Sequence, residues 1–458
     1  MNICGDGYHH TLTEGCDAGM RNGYVPCSTG CEVVPEVVQL ARSQSATCAL
    51  YSDGSLRCWG NPVDGVLGIE PPPPGYIGHE PGDMPPPVAE LGGPIASISG
   101  SGGPSFCALR VDGAVVCWGN GTGYTYYDED GHPYDYSGLL GPVAEEDLPD
   151  LPWTDHFVGD LPGELPPTPL PIGTTGALAV STGRGSACAI GDDSTLRCWG
   201  RSRDAWPTLG YGATVLRAFT PDFPPPPVNL GFTPVSVNHG FDRTCVLGDD
   251  ALVRCFGRSE GGRLGQAGTG PLGSGTSIDP PPVTDLGTPV AQITTDSVYG
   301  LCALGTDGSV RCFGPLVTAG YGNTESIGDD PGEMPPPPLE VGPDPIGEVV
   351  LAAHQACVRT DVGEIRCWGG NRRTWGYGNS ELLGDEPGEM PPPAVPLSRP
   401  ALALFAASSG HDSFCAILDD HSVECWGSSV IGLETGLALV SIGDEPGEMP
   451  PPPLRLYE

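Results

Sequence analysis

The 458-residue chain contains no lysine: all 20 of its basic side chains are arginine, against 57 Asp plus Glu, and the formal charge is −37. Without lysine there is no Schiff-base amine and no phosphate-loop lysine. So few cations among so many carboxylates exclude a nucleic-acid partner, because phosphate binding needs clustered positive charge. There is no run of 18 apolar residues, so no helix of this chain spans a membrane. Helix-period patterning of any length is also missing. The abundant residues are glycine (70) and proline (53), more than a quarter of the chain together. Yet 38% of the residues are apolar and eight are tryptophan, too much buried-type surface for a disordered chain.

The 18 cysteines fall into two groups. Cys4, Cys16, Cys27 and Cys31 occupy the first 31 residues. The rest form seven pairs of the form C-x9-C: Cys48 with Cys58, Cys107 with Cys117, Cys188 with Cys198, Cys245 with Cys255, Cys302 with Cys312, Cys357 with Cys367, and Cys415 with Cys425. Zinc sites use ligand pairs two to four residues apart, often with His, and the nine histidines follow no such rule. Regular, even spacing points instead to disulfides and an oxidising compartment. The protein is therefore expected to be secreted or displayed at the cell surface. Met1-Asn2-Ile3-Cys4 does not read as an export signal, so that segment is expected to be missing from the chain.

Each pair sits in one frame, as in CALYSDGSLRCWG, CALRVDGAVVCWG and CVLGDDALVRCFG. First cysteines are 59, 81, 57, 57, 55 and 58 residues apart, a repeat array with one long member. The frame predicts a β-hairpin whose turn is marked by Asp53-Gly54, Asp112-Gly113 or Asp307-Gly308. A three-residue loop with Gly in the left-handed position sets Cys48 opposite Cys58, Leu50 opposite Leu56 and Ala49 opposite Arg57. Cys48 and Cys58 then form a non-hydrogen-bonded pair, close enough for a bridge.

Two further strands are expected before each hairpin. One follows a proline run (Val88–Leu91, Val228–Leu230, Val283–Leu286), and the next is apolar (Ile95–Ile98, Val235–Val237, Val290–Ile293). Four strands per repeat, seven times over, predict an all-β fold, a seven-bladed β-propeller. The first repeat begins near Val37 without a post-proline strand, and the chain ends in PPPPLRLYE. Leu454–Tyr457 is therefore expected to join the first blade and close the ring, leaving no free sheet edge. The expected domains are a Cys-rich module at 1–36 and a propeller at 37–458.

These frames resemble the regulator of chromosome condensation repeat family. Its blades carry a CAL…DG.V..WG…G.LG pattern, seen here as CALYSDGSLRCWG followed by Leu67-Gly68. The resemblance implies a seven-bladed propeller. The family's chromatin and nucleotide-exchange activity does not fit a charge of −37 and paired cysteines. Bacterial members, including the β-lactamase inhibitory type, bind proteins, which implies a binding scaffold. The N-terminal CGDGYHHTLTEGCDAGMRNGYVPCSTGCE is similar to short Cys-rich modules of bacterial surface proteins. Its four cysteines allow three connectivities.

Catalytic chemistry finds little support. Gly257-Arg258-Ser259-Glu260-Gly261 fits G-x-S-x-G, but that elbow needs a strand-to-helix turn in an α/β sheet. His239, His354 and His411 precede first cysteines in different repeats, so they are expected to lie apart and to pack rather than catalyse. No catalytic residues are assigned. Arg57, Arg197, Arg254, Arg311 and Arg366, each directly before a second cysteine, are expected to make interblade ion pairs or cation–π contacts.

The polar feature that recurs is an acidic loop: GHEPGDMPPP (78–87), GDDPGEMPPP (328–337) and GDEPGEMPPP at 384–393 and 443–452. Its carboxylates are Glu80, Asp83, Asp329, Asp330, Glu333, Asp385, Glu386, Glu389, Asp444, Glu445 and Glu448. Equal phase places the loops on one rim. There they would be Ca²⁺ ligands, a landing site for a cationic partner, or solvated surface. A long insertion, residues 120–165, carries 11 carboxylates and no cation, with Tyr124, Tyr126, Tyr127, Tyr134, Tyr136 and Trp153. Aromatics anchor interfaces, so this insertion is the expected contact face. The expected function is non-enzymatic binding of a protein or surface glycan, with no cofactor other than calcium. Alternatives are an inhibitor of an extracellular enzyme and a calcium-dependent adhesin.

Overall fold

The structure is a computed structural model. It describes Tyr24, Pro26 and residues 33–457 apart from 72, 101, 128–132, 137–138, 141–142, 145–156, 201–206, 212–218, 221–222, 268–271, 273–279, 296–299, 316–319, 371–374, 380, 407–411, 431 and 437–439. For 122–127, 133–136, 143–144, 219–220 and 429 only the backbone is described. Cys4, Cys16, Cys27, Cys31, Trp153 and His411 lie outside the described residues.

The chain is all-β. Each C-x9-C frame builds one antiparallel sheet, numbered 1 to 7 here in chain order. In sheet 1, Val37–Arg42 pairs with Ala46–Tyr51, which pairs with Leu56–Gly60. The register is the expected one, with Cys48 opposite Cys58, Ala49 opposite Arg57 and Leu50 opposite Leu56. The turn closes through the Tyr51 N–H to Ser55 O and the Gly54 N–H to Tyr51 O, each at 2.9 Å. Asp53 Oδ1 accepts the Ser55 N–H, also at 2.9 Å. Gly54 sits at φ 82°, where a side chain is disfavoured. Sheets 3, 4 and 7 hold the same conformation with Ser194, Ala251 and His421 at φ 61°, 59° and 64°.

All seven expected disulfides are present. Cys48 is bonded to Cys58 in sheet 1, Cys107 to Cys117 in sheet 2, Cys188 to Cys198 in sheet 3 and Cys245 to Cys255 in sheet 4. Cys302 is bonded to Cys312 in sheet 5, Cys357 to Cys367 in sheet 6 and Cys415 to Cys425 in sheet 7. In each case the partners stand directly opposite on the second and third strands of their sheet. Their Cα–Cα distances are 4.0–4.1 Å, the close spacing of a non-hydrogen-bonded pair.

Strand alternation splits each hairpin into two faces. Cys48, Leu50, Leu56 and Cys58 pack with Phe106, Val116 and Trp118 of sheet 2. Ala49, Tyr51 and Trp59 pack on the other side with Ile417, Val423 and Cys425 of sheet 7. Buried apolar clusters of this kind lie between consecutive sheets along the chain. Cys107 and Cys117 face Trp199 of sheet 3, Cys188 and Cys198 face Phe256 of sheet 4, and Cys245 and Cys255 face Phe313 of sheet 5.

Polar bridges follow the same order. Gln39 donates to Ile98 O (2.9 Å) and Ser99 bonds Thr182 (2.8 Å). Ser181 Oγ accepts the His239 N–H (2.9 Å) and Asn238 donates to Ile293 O (3.2 Å). Gln292 donates to Val349 O (3.2 Å), Glu348 accepts the Leu404 N–H (3.1 Å), and Arg42 of sheet 1 donates to Ser413 of sheet 7.

The phase of the fourth strand differs from expectation. The post-proline segment pairs with the hairpin before it: Val88 bridges Arg57, Ala394 bridges Arg366, and Val283 faces Arg254. The C-terminal segment obeys the same rule and does not add a strand to sheet 1. Pro453 bridges Glu424, and the Leu454 N–H donates to Val423 O at 2.8 Å, both in sheet 7. It reaches sheet 1 through side chains. Tyr51 Oη donates to Leu456 O (2.6 Å), Tyr457 Oη accepts the Val37 N–H (3.2 Å), and Leu454, Leu456 and Tyr457 are buried. The reason is local: a proline run following the third strand lies beside it already, and returning there needs the shortest connection.

Candidate functional site

The arginine before each second cysteine holds the proline run in place. Arg57 donates to Pro86 O (2.7 Å), Arg197 to Pro225 O (2.9 Å), Arg366 to Pro392 O (2.8 Å) and Arg311 to Pro336 O. These are bonds within one sheet, where interblade contacts were expected. Ion pairs and ring contacts also stay within the repeat, as with Arg254, which binds Asp250 (2.7 Å) and lies 4.1 Å from the Phe232 ring. Tyr321 and Tyr377 wedge behind the third strand. Their hydroxyls bond the backbone of Cys312 and Cys367 and donate to Pro337 O and Pro393 O, each at 3.0 Å. Burial pushes the Tyr321 phenol up to about 12.

The acidic loops interrupt the fourth strand of their sheets. In sheet 1 the strand touches Gly60 at Ile77, leaves as the loop, and returns to Arg57 at Val88. In each loop one carboxylate caps the loop's own backbone. Glu333 Oε2 accepts the N–H groups of Gly328, Asp329 and Asp330 at 2.8–3.1 Å, and Glu448 Oε2 those of Gly443, Asp444 and Glu445 at 2.8–3.1 Å. Glu389 caps Gly384 and Glu386, and Asp83 caps Gly78, His79 and Glu80. For Glu389, burial works against the charge, but the N–H groups outweigh it and hold the carboxyl below its usual range. Asp329 and Asp385 are pushed up by burial and then by the capping carboxylate beside them.

A fifth loop was not anticipated. Gly159-Asp160-Leu161-Pro162-Gly163-Glu164-Leu165-Pro166-Pro167, at the end of the long insertion, folds the same way, with Glu164 capping Gly159, Asp160 and Leu161 at 2.9–3.1 Å. Its signal was there to read, G-D-x-P-G-E with leucine in place of methionine. Burial and the neighbouring Glu164 push Asp160 up to about 6. Among the described residues, no group of three or more His, Cys, Asp or Glu is placed to hold a metal ion.

The insertion forms a hairpin, Thr122–Tyr127 paired with Pro133–Tyr136, in which Tyr126 faces Tyr134 and Thr122 faces Tyr136. Val143–Ala144 pairs in parallel with Phe219–Thr220, tying the insertion to a loop of sheet 3.

Sheets 3 and 4 hold buried polar groups. His239 lies 2.7 Å from Ser186 Oγ and 2.7 Å from Thr244 Oγ1, which donates to Thr208 O. All three side chains are buried, and burial lowers the imidazole to about 4. The serine and histidine thus join two sheets and are shut off from solvent. His354 binds Asp412 of sheet 7 through its N–H (2.7 Å). Asp242, with no exposed surface, lies 3.3 Å from Arg263 and 3.7 Å from Arg258. Burial raises its pKa against the pull of Arg243, Arg263 and Arg258. Ser259 is buried at the start of a three-residue 3-10 turn, Glu260–Gly262, and among the described residues no base is bonded to it.

No protein-family model and no curated protein matches the chain. Solved structures do. Yeast RCC1 (Prp20), in its complex with Kap60, aligns with a TM-score of 0.59 and 17% identity over 96% of this chain and 87% of that one. Human WBSCR16 aligns at 0.56 and 16% over 84% and 91%. Saccharomyces cerevisiae Prp20p, described with its binding properties to Gsp1p and histones, gives 0.55 and 15% over 84% and 86%. The fold is that of the RCC1-like β-propellers. Seven intramolecular disulfides favour an oxidising, extracellular location. No helix among the described residues is long and apolar enough to cross a membrane.

Proposed function

We propose that this protein is a closed, seven-bladed propeller that acts outside the cell, secreted or surface-held, as a non-enzymatic scaffold for binding another protein. The closed ring is supported by the contacts of sheet 1 with sheet 7, apolar through Leu456 and Tyr457 and polar through Arg42 and Ser413. The binding reading is supported by the RCC1-like fold, since yeast RCC1 is bound by Kap60 in its solved complex.

The observation that carries the contact site is the inserted hairpin with Tyr126 opposite Tyr134. Tyrosine is among the residue types that anchor interfaces. The test is capture from a cell-surface extract by the intact protein and by a Tyr126→Ala, Tyr134→Ala double variant. Partner recovery should fall at least tenfold in the variant while its unfolding midpoint stays put. Equal recovery would refute the assignment. Recovery of an extracellular enzyme whose activity drops on binding would make the scaffold an inhibitor.

A further inference from the structure

In two of the five capped loops, a carboxylate from the preceding sheet binds backbone N–H beyond those the loop's own cap takes. Glu434 Oε1 of sheet 7 accepts the Gly82 N–H at 2.7 Å and the Met84 N–H at 3.2 Å, both in the loop of sheet 1. Glu70 Oε1 of sheet 1 accepts the Gly163 N–H of the sheet 2 loop at 2.7 Å. Glu434 does this at φ 52°, a conformation that glycine adopts at the same station elsewhere: Gly322 and Gly378 stand there at φ 72° and 66°. Those glycines lie against the loops of sheets 6 and 7, and a Cβ on them would meet Pro387 Cα at 3.2 Å and Glu445 O at 3.0 Å. The station facing the sheet 5 loop is Gln266, whose amide donates to Val283 O (2.9 Å). In sheets 5, 6 and 7, then, no carboxylate among the described residues reaches the matching amides of Gly332, Gly388 and Gly447; all five loop glycines are exposed, so the difference lies in the partner and not in the position. The apolar residue two positions on follows suit: Met84 and Leu165 are buried in the filled loops, while Met334, Met390 and Met449 are half-buried in the others.

We infer that the loops of sheets 5, 6 and 7 are three carboxylate-accepting sites, each taking from a partner protein the acidic side chain that Glu434 and Glu70 supply internally to loops 1 and 2. The ligand class follows from the occupants already seen: one carboxylate oxygen on the loop glycine N–H, reaching a second N–H two residues on in loop 1, beside an apolar side chain that such a contact would cover. The inference deepens the binding reading and rests on it for its purpose, but not for its test. Because the chain carries −37, each site alone is weak, and three in succession act together only on a partner with spaced acidic residues.

The probe is acetate, titrated against chloride at equal ionic strength into protein with ¹⁵N-labelled glycine. The amide protons of Gly332, Gly388 and Gly447 should move downfield several-fold more than those of Gly82 and Gly163. Glu434→Ala should open loop 1 and bring Gly82 among the responders. Gly378→Glu should close loop 7 and remove Gly447 from them. Equal shifts at all five glycines, or a Gly82 unchanged by Glu434→Ala, would overturn the inference. Loss of capture in the tyrosine variant with these shifts intact would separate the two contact faces.

Discussion

The buried polar groups of sheets 3 and 4 handle charge differently from the acidic loops of sheets 5 to 7. In sheets 3 and 4 polar groups are taken inside: His239 between two hydroxyls, and Asp242 among arginines with none of its surface exposed. In sheets 5 to 7 the loop carboxylates stay near the surface, and those that turn inward bind their own loop's backbone. A buried charge depends on distant partners and suffers when one is lost, whereas a loop that caps itself carries its compensation within a few residues.

The largest effect should come from Asp242→Ala. It strips the buried counter-charge from Arg263, while Arg258 keeps Glu260, and should lower stability by about 3–5 kcal/mol in urea unfolding. Asp385→Ala in sheet 6 should change little, because that carboxyl is already disfavoured by burial and by Glu389. Comparable losses for the two would erase the contrast.

Acid should separate the regions next. Burial lowers His239 from its usual 6.5 to about 4, so its neutral form stabilises the fold fully above pH 6.5. That contribution, about 3 kcal/mol at most, is lost as the pH falls toward 4. Asp160 runs the other way. It is raised to about 6, so its contribution is full below pH 3.8 and is lost as the pH rises through 6. Partial exposure limits it to about 1 kcal/mol. Urea midpoints from pH 4 to 7.5 should show a flatter acid limb for His239→Gln. Asp160→Asn should gain stability at pH 7 and lose that gain by pH 4.

Within the self-capped set, Glu333→Ala releases three backbone N–H groups and should cost about 1–3 kcal/mol, without disturbing sheets 3 and 4 in hydrogen exchange. The smallest effect is a gain: Ala251→Gly relieves a left-handed alanine at the hairpin turn and should add roughly 0.5–1 kcal/mol, while Gly308→Ala at the matching turn should lose as much.

Features fixed within about a dozen residues were readable in advance. The C-x9-C spacing and alternation, with an Asp-Gly turn in sheets 1, 2 and 5, specify the hairpin, its bridge and the face carrying Trp59. The phase of the fourth strand was misplaced because Val88 is equidistant in pattern from two hairpins, and only its bridge to Arg57 decides. The acidic loops were visible as composition. That Glu333 and Glu448 fold back onto their own amides depends on backbone direction, which composition does not carry. Glu434 looked like any surface glutamate; its role depends on Gly82, 352 residues away.

In all seven bridges the partners are ten residues apart. None of these bridges ties one sheet to another. Such a gene can gain, lose or exchange whole repeats by unequal crossover without stranding an unpaired thiol. Each hairpin can also be oxidised on its own, without waiting for any other repeat to fold.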